Sequence, residues 1–491
     1  MYLLGYDIGS SFVKASVIEA ATGKLVAAVS APAAEMPMIA HQPGWAEQEP
    51  AMWWENAKAA TRQIAQKINL RDVKAIGISY QMHGLVVLDK NYQVLRPSII
   101  WCDSRAVTIG DEAFNQLGKE TALSHLLNSP GNFTASKLRW VQQNEPQLYE
   151  KIHKFMLPGD YLAFCLTGEA TTTASGLSEG ILWDFQEEKP ASLLLDLYTI
   201  SPELLPAIVP TFAPQGYVSQ SVADELGLTP GTPVAYRAGD QPNNAFSLNV
   251  LEPGEVAATA GTSGVVYGIT DRREYDPASR VNSFLHVNHT TQTPRYGTLL
   301  CINGTGILNS WLRKNATTGL GYDAMNALAA SVPVGSDGLV TLPFGNGAER
   351  VLENRQLGAS VQNLSFNNHT QVHLLRSAQE GIVFALNYGV DLMKTLGVQP
   401  RTIRAGDANM FLSPLFGEAF ATITGAVVEL YNTDGAQGAA RAAGIGAGIY
   451  KNHAEAFQSL QTTRVIEPDA QRKEAYEQAY VRWLGYLERM L

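Results

Sequence analysis

Charge is scarce in this chain. Of 491 residues, 36 are Lys or Arg and 46 are Asp or Glu, 17% in all, against roughly 25% in a typical soluble domain. The net charge of −10 and the lack of any dense Lys/Arg run exclude a nucleic-acid or anionic-membrane surface. No Asp/Glu run forms an acidic tail. Long apolar runs are also missing, and none reaches the roughly 18 residues of a membrane span. The opening Met1-Tyr2-Leu3-Leu4-Gly5-Tyr6-Asp7 has no basic segment and meets a carboxylate at once, so no secretory signal is expected. Only three cysteines occur, Cys102, Cys165 and Cys301, far apart. An odd, sparse set predicts thiols in a reducing compartment, neither a disulfide framework nor a zinc site. The expected location is the cytoplasm, and neither nucleic acid nor a membrane is an expected partner.

What is abundant is glycine, with 43 residues, beside 45% hydrophobic residues. The length predicts more than one core. Residues 2–6 read as a strand, 7–11 as a polar turn, 12–19 as a second strand and 25–31 as a third. A strand-turn-strand opening differs from the strand–loop–helix of a dinucleotide-binding domain. Pro50 starts a helix to about residue 67, and strands follow at 73–79 and 85–88, so the class is α/β. Asp7-Ile8-Gly9-Ser10-Ser11-Phe12-Val13 is echoed by Thr259-Ala260-Gly261-Thr262-Ser263-Gly264-Val265. An echo near half the chain length suggests a duplicated lobe. The Gly/Ala-rich stretch 435–448 reads as a closely packed helix. Tyr476, Tyr480, Trp483, Leu487 and Leu491 mark a terminal amphipathic helix over 469–491, whose docking site is open.

Several motifs are missing: no G-x-x-x-x-G-K-[ST] loop, no G-x-G-x-x-G opening a helix, no H-E-x-x-H and no histidine cluster. Gly/Ser/Thr turns with isolated acids remain. Such turns present several backbone N–H groups, a fit for a polyphosphate, although each also reads as a plain surface hairpin. Asp7 suits a hydrated magnesium ion, which takes one or two carboxylates plus phosphate oxygens, and Lys14 suits phosphate charge. Asp240 follows a strand and a Gly turn, where a general base would stand, or where an aspartate caps the next helix.

Taken in order, these residues resemble the FGGY carbohydrate kinases. The resemblance runs through Asp7-Ile8-Gly9-Ser10-Ser11 with Lys14, Gly44-Trp45-Ala46-Glu47-Gln48-Glu49-Pro50 and Gln81-Met82-His83-Gly84. It continues through Trp101-Cys102-Asp103-Ser104-Arg105, Phe133-Thr134-Ala135-Ser136-Lys137-Leu138 and Leu157-Pro158-Gly159-Asp160. Gly239-Asp240, Gly261-Thr262-Ser263-Gly264 and Leu342-Pro343-Phe344 complete it. It implies a two-lobe, actin-like ATPase fold of the ribonuclease-H type with an interlobe active-site cleft. The lobes would be 1–245, holding sugar and the first phosphate turn, and 246–491, holding ATP. The implied activity is transfer of the ATP γ-phosphate to a ketose hydroxyl, with D-xylulose the first candidate. Another ketose or polyol, such as ribulose or glycerol, and a silent nucleotide or sugar sensor stay open.

By the same resemblance Asp240 is the general base, and Asp7 and Asp240 hold Mg2+. Met82, His83, Trp101, Asp103, Asp240 and Gln241 face the sugar. Gly9, Ser10, Ser11, Lys14, Gly261, Thr262, Ser263, Gly406, Asp407 and Ala408 bind ATP. Cys102 is expected as a packed thiol. A monomer and a homodimer are both compatible with the sequence. Two departures stand out. Gln241 replaces the Asn of close family members, and Asp407 stands in the family's three-glycine turn, before a lengthened 409–412 loop. Opposed unit charges 4 Å apart are worth about 4 kcal/mol at an effective dielectric near 20, and like charges cost as much. Asp407 is therefore expected to turn away from the triphosphate or to contact the ribose or adenine. Ser413 and Pro414 are expected to start the following helix.

Overall fold

A computed structural model describes residues 1–491. The chain forms two compact units. The first comprises Met1–Asn249, Phe284–Arg295 and Thr433–Leu460, and the second Val250–Ser283, Tyr296–Asn432 and Gln461–Leu491. The chain thus returns to the first unit twice after residue 249.

In the first unit, β1 (Tyr2–Ile8), β2 (Val13–Glu19) and β3 (Leu25–Ala31) form an antiparallel meander. Two parallel strands, β4 (Val73–Tyr80) and β5 (Val234–Gly239), extend it in the order β5-β4-β1-β2-β3. Both faces are covered, so β4 is apolar nearly throughout instead of alternating. The helix Pro50–Ala65 starts on its proline and buries Trp53, Ala57, Ala60 and Ile64 on one stripe.

The helix Gly435–Gly446 lies on this sheet at backbone contact distance. A Cβ on Gly5 would stand 1.9 Å from the Ala436 carbonyl oxygen, and one on Gly77 2.0 Å from that of Ala439. On the helix side, a Cβ on Gly446 would stand 1.8 Å from the Ala235 carbonyl oxygen. Glycine on both partners is what permits the approach, and it brings the helix N-terminus to the end of β1.

The second unit repeats the pattern. Here β6 (Val256–Ala260) and β7 (Gly264–Thr270) are the hairpin, β8 (Asn282–Leu285, whose last two residues are counted with the first unit) and β9 (Tyr296–Ile302) follow, and β10 (Thr402–Gly406), β11 (Val427–Tyr431) and β12 (Thr462–Ile466) complete a seven-stranded sheet. Its order is β8-β9-β7-β6-β10-β11-β12. As in the first unit, an antiparallel hairpin is followed by two parallel strands. The sequence echo therefore marks topologically equivalent hairpins. The terminal helix Lys473–Glu488 belongs to this unit, where Tyr476, Trp483 and Leu487 enter the core and the Trp483 indole donates to the Thr341 carbonyl at 3.0 Å.

Candidate functional site

In the first unit, acids gather where β1, β5 and the helix Gly435–Gly446 meet. Asp7 is the penultimate residue of β1, opposite Lys14 on β2 and Ser79 on β4. Its Oδ2 lies 2.7 Å from where a Cβ on Gly435 would stand, so the carboxylate sits against a helix N-terminus that favours negative charge. Burial pushes its pKa up, and Lys14 partly offsets this. Asp240 is the first residue of the helix Asp240–Ser247. Gly239, not Asp240, is that helix's N-cap, and no side chain caps it. Asn243 donates to the Gly435 carbonyl at 2.9 Å and Ser247 to that of Asp434 at 2.7 Å, which ties the two helices together. Burial, then the charges of Asp7 and Glu179, push the Asp240 carboxyl up to about 8.

The 80s loop stands beside them. His83 is in left-handed backbone conformation, φ 63°, which histidine tolerates better than most residues. Its N–H donates to Glu179 Oε2 at 2.7 Å, and its Nδ1 lies 2.8 Å from the Glu179 carbonyl oxygen. Phe133 meets the imidazole edge-on at 4.7 Å, with Phe284 at 5.6 Å. Lys137, fully buried, donates to the His83 and Ile100 carbonyls, each at 2.9 Å, so one ammonium joins the 80s and 100s loops. Burial lowers its pKa to about 8 against the pull of Asp103.

Three sequence expectations are corrected here. Asp103 was expected to face the sugar, but it is fully buried. Its carboxylate accepts from Ala46 N at 2.6 Å and from the Arg105 backbone and guanidinium. Arg105 in turn packs against Trp45 and Trp140, at 3.8 and 4.8 Å from their rings, which meet each other edge-on at 5.3 Å, so Asp103 fastens the loop from beneath. Met82 is buried under Gly239, whose Cβ would stand 2.5 Å from its Cγ, instead of lying open to a ligand. Cys102 is exposed, not packed. Trp101 beside it is 48% exposed, and Gln241 is half-buried next to Asp240. Glu179 and Lys137 were not singled out from sequence.

The second unit carries a cavity of about 460 Å³ between the β6–β7 turn, the helix Gly306–Asn315 and the 409–413 segment. That volume suits a nucleoside-sized ligand. Gly261 and Thr262 line it, with Asn309 and Asn326 as polar walls and Met410 and Leu412 as apolar ones. The turn is bound to the helix start: Gly306 N donates to the Gly261 carbonyl at 2.9 Å and Ile307 N to that of Thr262 at 3.1 Å. The Ser263 turn position precedes β7 directly, as Ser10 and Ser11 precede β2 in the first hairpin, where Gly9 N donates to the Phe12 carbonyl at 2.9 Å. Gly406 ends β10 and Ala408 caps the short 3₁₀ turn Asn409–Leu412. Asp407 does not line the cavity. Thr463 donates to it at 2.9 Å and Arg464 pairs with it at 3.5 Å. Ser413 caps the helix Pro414–Thr424, as its sequence predicts.

No group of three or more His, Cys, Asp or Glu is arranged to hold a metal alone. No helix is long and apolar enough to cross a membrane.

Residues 2–247 match the N-terminal domain of the FGGY family of carbohydrate kinases, and residues 256–447 its C-terminal domain. The chain is 30% identical over 485 residues to the xylulose kinase of Escherichia coli strain K12, covering 97% of this chain and 96% of that one. It is similar to the crystal structure of xylulose kinase from Rhodospirillum rubrum, with a TM-score of 0.88 at 27% identity over 100% of this chain and 99% of that one. Gluconate kinase from Lactobacillus acidophilus gives a TM-score of 0.90 at 23% identity, covering 100% and 98%, so the fold spans kinases named for different acceptors. With both domains matched in order and a relative aligned nearly end to end, the two-unit α/β architecture has one reading: this chain belongs to the FGGY family of carbohydrate kinases, phosphotransferases that use an alcohol group as acceptor.

Proposed function

We propose that the protein phosphorylates D-xylulose to D-xylulose 5-phosphate with MgATP. The observation that carries this reading is the meeting of Asp240, Asp7 and the His83 loop in one unit of a chain similar to named xylulose kinases. We assign the sugar and first phosphate turn to residues 1–245 and ATP to residues 246–491.

The sugar hydroxyl oxygen attacks the γ-phosphorus, a new O–P bond forms as the bond to the ADP oxygen breaks, and Asp240 takes the hydroxyl proton. The transition state is loose, so positioning and charge neutralisation supply most of the rate. A proton affinity raised to about pH 8 suits a base acting near neutrality. His83 and Gln241 contact sugar hydroxyls and Trp101 walls the pocket, on the loop that Asp103 fastens. Met82 supports the sugar side from beneath Gly239.

Gly9, Ser10, Ser11 and Lys14 of the first unit, and Gly261, Thr262 and Ser263 of the second, contact phosphates through N–H, hydroxyl and ammonium groups. Gly406 and Ala408 shape the adenosine end, with Asp407 turned to β12. The acids of the first unit fit a cation: Asp7 raises the proton affinity of Asp240, and too few carboxylates cluster to bind a metal without phosphate oxygens. Asp7 and Asp240 would hold magnesium, directly or through water. Bound there, the ion neutralises phosphate charge. ATP as substrate and three cysteines without a disulfide suit the cytoplasm.

Gln241, longer than the Asn of close family members, favours a second reading in which the acceptor is another ketose or a polyol. Carbon and phosphorus NMR of the product made from D-xylulose and ATP distinguishes them. A phosphate on carbon 5 supports xylulose 5-phosphate, and a phosphate on any other carbon, or no phosphorylated product, contradicts it.

A further inference from the structure

Glu179 ends the short helix Ala174–Glu179 and is 2% exposed. It approaches His83 from two directions. Its Oε2 accepts from the His83 backbone N–H at 2.7 Å and also lies 3.0 Å from Nδ1, while its own carbonyl oxygen lies 2.8 Å from that same Nδ1. A carboxylate oxygen and a peptide carbonyl oxygen can only accept. The nitrogen between them must therefore carry the proton, and in a neutral imidazole the other nitrogen then has a free lone pair. Phe133 and Phe284 offer the ring no competing polar partner and fix its plane. The bond to the backbone N–H also holds His83 in its left-handed conformation.

We propose that Glu179 is a positioning residue that locks His83 in the Nδ1–H tautomer, so that Nε2 accepts a hydrogen bond and selects an acceptor substrate bearing a hydroxyl, not a carbonyl or hydrogen, at the carbon it faces. This rests on the reading of His83 as a sugar contact. A site built to pair with a hydroxyl rejects the analogue lacking it, because a buried polar atom is then left unpaired.

The test uses the full-length protein labelled with 15N-histidine. Nine histidines give a tractable long-range 1H–15N spectrum, with His83 assigned by comparison with His83→Gln. The expected wild-type signal is protonated Nδ1 and unprotonated Nε2 near neutral pH, without sugar. Protonated Nε2 with bare Nδ1 overturns the proposal, even if no Glu179 variant folds. Glu179→Ala keeps the backbone carbonyl on Nδ1 but removes the carboxylate from both Nδ1 and the His83 N–H, so the Nδ1–H form is expected to persist with displaced His83 signals from a loosened loop. It should raise KM for D-xylulose about ten- to a hundredfold with kcat within a few-fold, leaving KM for ATP unchanged. Glu179→Gln, which keeps an acceptor oxygen, should restore most of the affinity. A Glu179→Ala protein with wild-type His83 signals and an unchanged sugar KM contradicts the proposal. If D-xylulose is not a substrate, the xylulose reading fails while the tautomer measurement still decides the role of Glu179.

Discussion

The Asp407 carboxylate accepts a hydrogen bond from the Thr463 hydroxyl at 2.9 Å. With Arg464 also beside it at 3.5 Å, its charge faces β12, away from the cavity that Gly261 and Thr262 line. A like charge next to a triphosphate would cost about a thousandfold in affinity; one turned away and paired does not. Asp407→Gly is therefore expected to change the ATP dissociation constant less than about threefold by calorimetry. A gain of orders of magnitude would show that the carboxylate faces the phosphates.

Asp240 links activity and stability in opposite directions. Asp240→Asn should lower turnover by about 10²–10⁴-fold while ATP and sugar dissociation constants stay within a few-fold. The carboxyl ordinarily titrates near 3.8, and in the fold near 8. The unfolded chain thus releases this proton first, and the ionised carboxylate disfavours the fold increasingly from about pH 4 to pH 8. Without ligands, Asp240→Asn should raise Tm by a few degrees above about pH 8 and hardly at all near about pH 4. Calorimetric scans at both pH values check the sign, and a lower Tm at the higher pH would refute it.

Close approach of the helix Gly435–Gly446 holds Asp7 at its N-terminus. In Gly77→Ala the new methyl would stand 2.0 Å from the Ala439 carbonyl oxygen, with backbone on both sides and no side chain able to move away. The expected cost is about 1–3 kcal/mol or more, read as a lower denaturation midpoint with reduced activity. An unchanged midpoint would mean the helix is not seated on β4 as described.

In the second unit, a Cβ on Gly306 would stand 2.3 Å from the Gly261 carbonyl oxygen. Gly306→Ala should push the Gly261–Thr262 turn off the helix start and, with that turn on the phosphates as proposed, raise KM for ATP at least about tenfold. The sugar dissociation constant should not move, and equal loss of both would point to global damage instead.

Local pattern made part of this visible in advance. The β1–β2 hairpin, the helix opening on Pro50 and the Ser413 cap each follow from residues within one turn or strand. The Gly/Ala stretch at 435–446 reads as a tight helix, but the sheet that receives it is chosen by Gly5 and Gly77, hundreds of residues earlier. The work of Glu179 and Lys137 was not legible because their partners lie 96 and 54 residues away; Lys137 stood in a matched motif, but nothing local says what its ammonium reaches. Asp103 was legible as a site residue by type, yet its burial and its pairing with Arg105, which packs on two tryptophans, gave it different work. Met82 and Cys102 show the same limit, since which side of a loop a residue faces is decided by what packs beneath it.

Sugar-dependent ADP release, measured across a panel of pentuloses, hexuloses and polyols, tests the central claim most directly. The account predicts strong stimulation by D-xylulose, weaker responses to other ketoses and loss of the signal in Asp240→Asn. A flat response equal to ATP hydrolysis without sugar would contradict it.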